Sequence, residues 1–398
     1  MKISKNKVSI VTLFLFFVSV IGVTNFIIFK KQSYLGNEYF GIYFLFSIFL
    51  VYLSIKYLHL NFIRQKIILT FLFFKIPITL FLMYLFFTRY GGGDLQGYYF
   101  QVVDSIFSNS FSFHFSGVQA VQSINYLFFQ IFPNSLWGMS LIYASLSFIA
   151  YLILFKIFYQ YSFNRKYLFI LLFFIPTIAM QSSFFGKDGY ALLMLNMIFA
   201  SFYMIYEKNK RIYWIILAIS LLLLGAIRLY QLAFVVVALY LFFISRNKIS
   251  FIIGSIFALI LSIFVFNIII STFLSFSSID NFNFSKALSV AYTGGSLMLD
   301  PFPVPLNMLQ IFRPFPWEAN NAFLFLASIE KIVVLLFLLF LFKKYYKQIV
   351  YRIKNISIYR FLFFYTIVVW FIFSFDTNMG DLLRRNIYIL PYLVILVV

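Results

Sequence analysis

Apolar runs of about twenty residues, separated by short polar or basic stretches, recur along most of this chain. A helix needs roughly 20 apolar residues to cross the ~30 Å hydrocarbon layer of a bilayer. The pattern predicts spans near 8–29, 39–60, 67–88, 136–158, 167–185, 189–206, 212–227, 229–244, 249–271, 322–342 and 359–375. A last apolar piece, 387–398, is too short to cross fully, so the chain stops half-way or is truncated. The expectation is an all-α polytopic membrane protein with about 11–12 transmembrane helices, forming a single integral membrane domain over 1–398. Helices suit that setting because each closes its own backbone hydrogen bonds. Lys2, Lys5 and Lys7 precede the first run, and no small-residue cleavage pattern follows it. This predicts an uncleaved first helix rather than a signal peptide.

Charge orients the spans. Placing the N-terminus in the cytoplasm puts most of the 31 Lys and Arg in short inner loops, among them Lys56, Arg64, Lys156, Lys208, Lys343 and Arg352. That is the positive-inside pattern. The longer polar segments, about 89–135, 272–321 and 376–386, then all face outward, as do the tight breaks at Gly186–Gly189 and Arg228. Inside the first long outer loop, Val121, Ile124, Leu127, Phe128, Ile131 and Phe132 recur at three- and four-residue spacing, with Gln119, Gln122, Asn125 and Gln130 opposite. This predicts an interfacial amphipathic helix, which either guides a lipid-linked substrate or packs on the bundle.

Composition narrows the function classes. The chain is 63% hydrophobic and 11% charged, and its 60 Phe and 29 Tyr supply lipid-compatible surface and interfacial rings. The net charge of +20 is spread over short loops, with no basic tail or helix able to track a nucleic acid, so no nucleic acid is expected. No Cys and two His exclude disulfides, thiolate metals and a histidine-rich centre; neither a metal site nor a cofactor is expected. Walker A, HExxH and GxSxG motifs are absent, as is a GxGxxG motif following a strand.

The candidate chemistry lies in the outward segments. In Arg89–Tyr99, three glycines place Asp94 on backbone free to bend and approach a ligand, with Tyr98 and Tyr99 following. Asp94 reads equally as a catalytic carboxylate or as the polar residue of a glycine turn. Lys187 and Asp188 sit between two spans with almost no loop; they read either as a neutral pair or as a phosphate contact with an orienting or base carboxylate. Arg228 is paired with a carboxylate such as Asp188 or reserved for a ligand phosphate, which guanidinium holds in bidentate fashion. The segment Arg313-Pro314-Phe315-Pro316-Trp317-Glu318 is stiffened by proline. There Trp317 offers an indole face to a sugar and Glu318 a proton acceptor; the alternative is a structural plug. Arg384 and Arg385, adjacent at the last outer loop, could clamp a pyrophosphate, against a local ion pair of Arg384 with Asp381.

With outward Gly-Asp…Tyr-Tyr, Gly-Lys-Asp, Arg-Pro-Phe-Pro-Trp-Glu and a late Gly…Arg-Arg on about a dozen spans, the chain resembles bacterial O-antigen or repeat-unit polysaccharide polymerases (Wzy-type) and related GT-C-like membrane glycosyltransferases. The resemblance covers most of the chain as architecture, but as motifs only 93–99, 186–189, 313–318 and 380–385. It implies an enzyme of the cell inner (cytoplasmic) membrane that transfers polyprenyl-pyrophosphate-linked oligosaccharide repeat units at the outer face. Its partners would be the polyprenyl-(pyro)phosphate-linked glycan, the lipid bilayer and other polysaccharide-assembly proteins. Asp94 matches the outer-loop acid of GT-C-like enzymes, although it follows three spans rather than one. Arg313, Arg384 and Arg385 match phosphate-binding arginines in type. The alternatives are a single-sugar transferase using a polyprenyl-phosphate sugar and, in a different class, a lipid-linked glycan transporter or flippase.

Overall fold

The computed structural model describes residues 39–81, 83, 96–108, 110–113, 117–162, 165–182, 186–245, 309, 311–319, 322–374 and 384–398. Every regular element among them is helical. The principal helices are α1 (Phe40–Tyr57), α2 (Arg64–Thr70), α3 (Gln101–Phe107), α4 (Gly117–Ile131), α5 (Leu136–Phe158), α6 (Arg165–Phe173) and α7 (Pro176–Gln181). They continue as α8 (Lys187–Tyr206), α9 (Tyr213–Ile227), α10 (Leu229–Ile244), α11 (Ala322–Asn355), α12 (Ser357–Phe373) and α13 (Leu390–Val397). Four stretches, Phe40–Tyr57, Leu136–Phe158, Lys187–Tyr206 and Leu324–Asn355, are long and apolar enough to cross a membrane. The predicted spans 8–29 and 249–271 lie outside the described residues.

Helix α5 is the centre. Its most apolar window is 83% buried, against 33% for that of α1. A helix apolar on every side is enclosed by other helices or by lipid, and here protein does the enclosing. Ser135 caps its start by accepting from the Gly138 N–H at 3.0 Å, which satisfies one of the orphan donors of the first turn. Gly138 also lets α1 come close: a Cβ there would stand 2.4 Å from the ring of Tyr43. The Tyr43 hydroxyl in turn donates to the Pro133 carbonyl at 2.6 Å. On its other side α5 packs against α8, which also contacts α9 and α12; α12 joins α10, α11 and α13.

Polar ties fix the inner helices. Asn196 on α8 donates to the Ala150 carbonyl of α5 at 2.9 Å and accepts from Tyr392 of α13 at 2.7 Å. Tyr365 of α12 donates to Gln231 of α10 at 3.2 Å. Buried polar groups matched in this way set helix register, because an unmatched one costs about 1–3 kcal/mol. Outward, α11 presents Leu326, Val333, Leu336 and Phe340 as an exposed apolar face suited to lipid.

Two expectations are corrected. The span 167–185 is broken into α6 and α7, because the chain leaves the helix at Phe174–Ile175, just before Pro176, which lacks the N–H that would continue the ladder. The helix expected to end at 342 continues as α11 to Asn355, carrying the basic residues Lys343, Lys344, Lys347, Arg352 and Lys354 beyond its apolar part. The piece 387–398 ends in a short helix whose residues are almost all buried against the bundle.

Candidate functional site

Helix α8 begins earlier than the hydropathy implied, and this moves Lys187 and Asp188 from a loop into its first turn. A carboxylate there faces the positive end of the helix dipole. Asp188 is fully buried. Arg228, Arg384 and Tyr388 converge on it: both guanidiniums pair with the carboxylate, and the Tyr388 hydroxyl donates to Oδ1 at 2.8 Å. The partners come from two parts of the chain far from Asp188, Arg228 from one and Arg384 with Tyr388 from the other.

Local structure explains each placement. Arg228 is the single non-helical residue between α9 and α10, with φ −145° and ψ 84°. Interrupting the ladder there turns its side chain inward, where it also bonds Tyr230 and lies 5.7 Å from the ring centre of Tyr388. Arg384 precedes a short 3₁₀ turn, Asn386–Tyr388, that leads into α13. Arg384 and Tyr388 are four residues apart, a spacing that brings side chains to one face of a helical turn. Asp188 beside it holds the Arg384 guanidinium above its ordinary pKa, against the opposing effect of burial.

A second layer supports this group. Gly189 lets the Tyr143 ring approach, since a Cβ would stand 3.2 Å from it. Tyr143 meets Tyr190 edge-on at 4.9 Å and donates to Asn125 Oδ1 at 2.8 Å. Asn125 Nδ2 donates to the Tyr98 carbonyl at 3.2 Å. Tyr98 and Tyr99 lie on a π-type turn, Gln96–Phe100, in which the backbone ladder is widened by one residue. Burial pushes the Tyr99 phenol up to about 12, so it acts as a protonated, packed ring against Phe129.

The other sequence candidates divide. Arg313 pairs with Glu318. The second Glu318 oxygen accepts from the Phe315 N–H at 2.8 Å, so both oxygens of this candidate base are engaged. Lys331 of α11 bonds the Arg313 carbonyl and so ties the segment down, as the plug reading requires. Trp317 stands 78% exposed, its ring stacked on Phe315. Arg384 and Arg385 have different neighbours: Arg384 is on Asp188, whereas Arg385 lies 5.0 Å from the Phe373 ring centre. Lys187 is half-buried on the first turn of α8. Asp94, its three glycines and Asp381 lie outside the described residues.

Helix α4 forms as predicted and packs on the bundle, with one correction to its faces. Asn125, assigned to the polar side, is buried beside Val121 and Phe129, whereas Leu127 and Ile131 are exposed. The buried polar partners Tyr98 and Tyr143 pull the helix round to that register. Sequence reasoning missed Tyr388, Asn125 and Tyr143 as members of the site; the four-residue spacing from Arg384 was the available signal for Tyr388. It also missed Asn386, which is buried with neither amide atom hydrogen-bonded among the described residues. Arg228 Nε is likewise buried without a hydrogen bond there. Among the described residues, no group of three His, Asp or Glu is placed to hold a metal ion.

Comparison of the chain with protein-family models, with curated proteins and with solved structures finds no match.

Proposed function

We propose that this protein is a membrane glycosyltransferase of the polysaccharide-polymerase kind, acting on a polyprenyl-pyrophosphate-linked glycan at the outer face of the bacterial cytoplasmic membrane. The observation that carries the reading is the group at Asp188. One buried carboxylate meets two guanidiniums, so the group itself is cationic, and Arg228 Nε and the Asn386 amide add buried polar atoms without hydrogen bonds among the described residues. Guanidiniums held by a fixed carboxylate need no reorganisation when negative charge arrives, and this is the requirement for stabilising a departing pyrophosphate. The apolar helices and the basic inner loops support the membrane setting and the outward orientation of this end.

In the proposed reaction, an acceptor hydroxyl oxygen attacks the anomeric carbon of the donor. The bond from that carbon to the pyrophosphate oxygen breaks, and the lipid pyrophosphate leaves with the electron pair. A carboxylate takes the hydroxyl proton. Asp188 is occupied by Arg228 and Arg384, and Glu318 by Arg313 and the Phe315 N–H. The proposal therefore assigns the proton to Asp94, four residues ahead of Tyr98 in the chain, and makes Asp188 the residue that positions the arginines. Arg384→Ala and Asp94→Asn in an intact strain should each abolish long-chain polysaccharide on a gel. Normal chains from both variants would refute the assignment. Purified protein separates the classes: elongation of a lipid-linked repeat in detergent requires an enzyme, while a flippase gives no product.

A further inference from the structure

An open cleft of about 170 Å³ lies between α3, α4 and the segment that joins them. It is lined by Gln101, Val102 and Ser105 of α3, Ser110, Phe111 and Ser112 of the connection, and Gln119 and Gln122 of α4. None of the lining residues is charged. That composition fits neither a lipid tail, which would need an apolar wall, nor a phosphate, which would need cations. Each glutamine amide offers both a donor and an acceptor, and each serine hydroxyl can act as either. Neighbouring hydroxyls on a sugar present the same mixture. Gln122 already donates to Gln101 at 2.7 Å, which holds the two amides in a fixed mutual orientation. Phe111 is braced by a parallel stack on Tyr126, with centroids 4.1 Å apart and planes 9° apart. A rigid ring face beside paired amides suits a ligand with one apolar and one hydroxylated side.

The wall is also physically connected to the charged group. Val102 lies three residues beyond Tyr99, and Asn125 lies three beyond Gln122. The bonds from Asn125 to Tyr98 and Tyr143 continue through Tyr190 to the first turn of α8. A ligand seated here would lie on the same end of the bundle as Arg384.

We infer that this cavity is a carbohydrate subsite for one neutral sugar ring of the glycan, formed by Gln101, Gln119, Gln122 and Phe111. The inference rests on the proposed function for the identity of the larger substrate, but its test does not. Full-length protein in detergent micelles is titrated with methyl glucoside, methyl galactoside and methyl N-acetylglucosaminide, with binding followed by saturation-transfer NMR. At least one pyranoside should bind the unaltered protein saturably. Gln119→Leu and Gln122→Leu should each weaken it about tenfold, the scale of one or two lost hydrogen bonds. Gln119 is exposed, so its variant should keep the thermal midpoint of the parent. Arg384→Ala should bind the pyranoside unchanged while losing a short-chain isoprenyl pyrophosphate. Absence of saturable pyranoside binding, or binding undiminished in both glutamine variants, overturns the subsite. If pyranoside binding depends on the glutamines but isoprenyl pyrophosphate ignores Arg384, the subsite stands and the proposed function falls.

Discussion

The two ends of α8 use the same residue types for different purposes. At its start, Asp188 is fully buried and gathers two arginines and a tyrosine. Past its other end, Glu207 is half-buried and accepts from the Ile358 N–H at 3.3 Å, which satisfies a donor at the start of α12. There Arg352 bonds the Tyr161 carbonyl beyond α5 and the Tyr359 hydroxyl at 3.3 Å, and Arg360 bonds the carbonyls of Ile353 and Lys354. These arginines close helix ends, where carbonyls lack partners and the dipole is negative. Such bonds are structural. A carbonyl carries no net charge, so its arginine is anchored without opposing charge, whereas the arginines on Asp188 are fixed by one. Burying an ion group is costly and by itself adds little to stability. Among the described residues such a group stands at one end of α8 alone, the end to which the proposed function gives the charge a use.

That contrast can be broken in four ways, the largest first. Asp188→Ala leaves two inward guanidiniums without their carboxylate and should destabilise the protein by about 3–5 kcal/mol, read as a lowered thermal midpoint in detergent. Asp188→Asn should fall between Asp188→Ala and the unaltered protein, since it keeps the shape and loses the charge. Arg384→Ala should weaken isoprenyl pyrophosphate binding by roughly 2 kcal/mol, about 30-fold in Kd, and Arg384→Lys should restore only part of that because ammonium lacks the planar fork. Arg352→Ala should cost about 1.5–3 kcal/mol of stability and leave pyrophosphate binding unchanged. If it weakened binding as much as Arg384→Ala, the distinction between the ends would be lost. Lys208, exposed with its ammonium 5.6 Å from the Tyr203 ring centre, should change stability by no more than ~0.5 kcal/mol on conversion to Ala.

The helices were legible because their signal is local. A continuous apolar run predicted α5 at 136–158, and the break at Arg228 followed from one charged residue between two apolar segments. Boundaries failed where a local rule competed with hydropathy. Proline at the start of α7 outweighed an unbroken apolar average, and a stretch 343–355 with Lys, Arg and Gln and without Gly or Pro carried α11 past its apolar part. The register of α4 was misread at Asn125 because periodicity treats every amide as solvent-facing, whereas Tyr98 and Tyr143 make that amide an interior one.

Composition and pattern by themselves determined an all-α chain with helices of membrane-crossing length, and they singled out Lys187, Asp188, Arg228, Arg384 and Tyr98 as chemically unusual positions. They could not pair them. Arg228 on a carboxylate or on a ligand phosphate, and Arg384 in a pyrophosphate clamp with Arg385 or on Asp381, were open alternatives in one dimension. In the tertiary fold both Arg228 and Arg384 reach Asp188, because α8, the turn leading into α13 and the α9–α10 corner meet there. A sequence separation of 200 residues between Asp188 and Tyr388 hides such a meeting from any local pattern. Packing of α8 against its neighbours creates it.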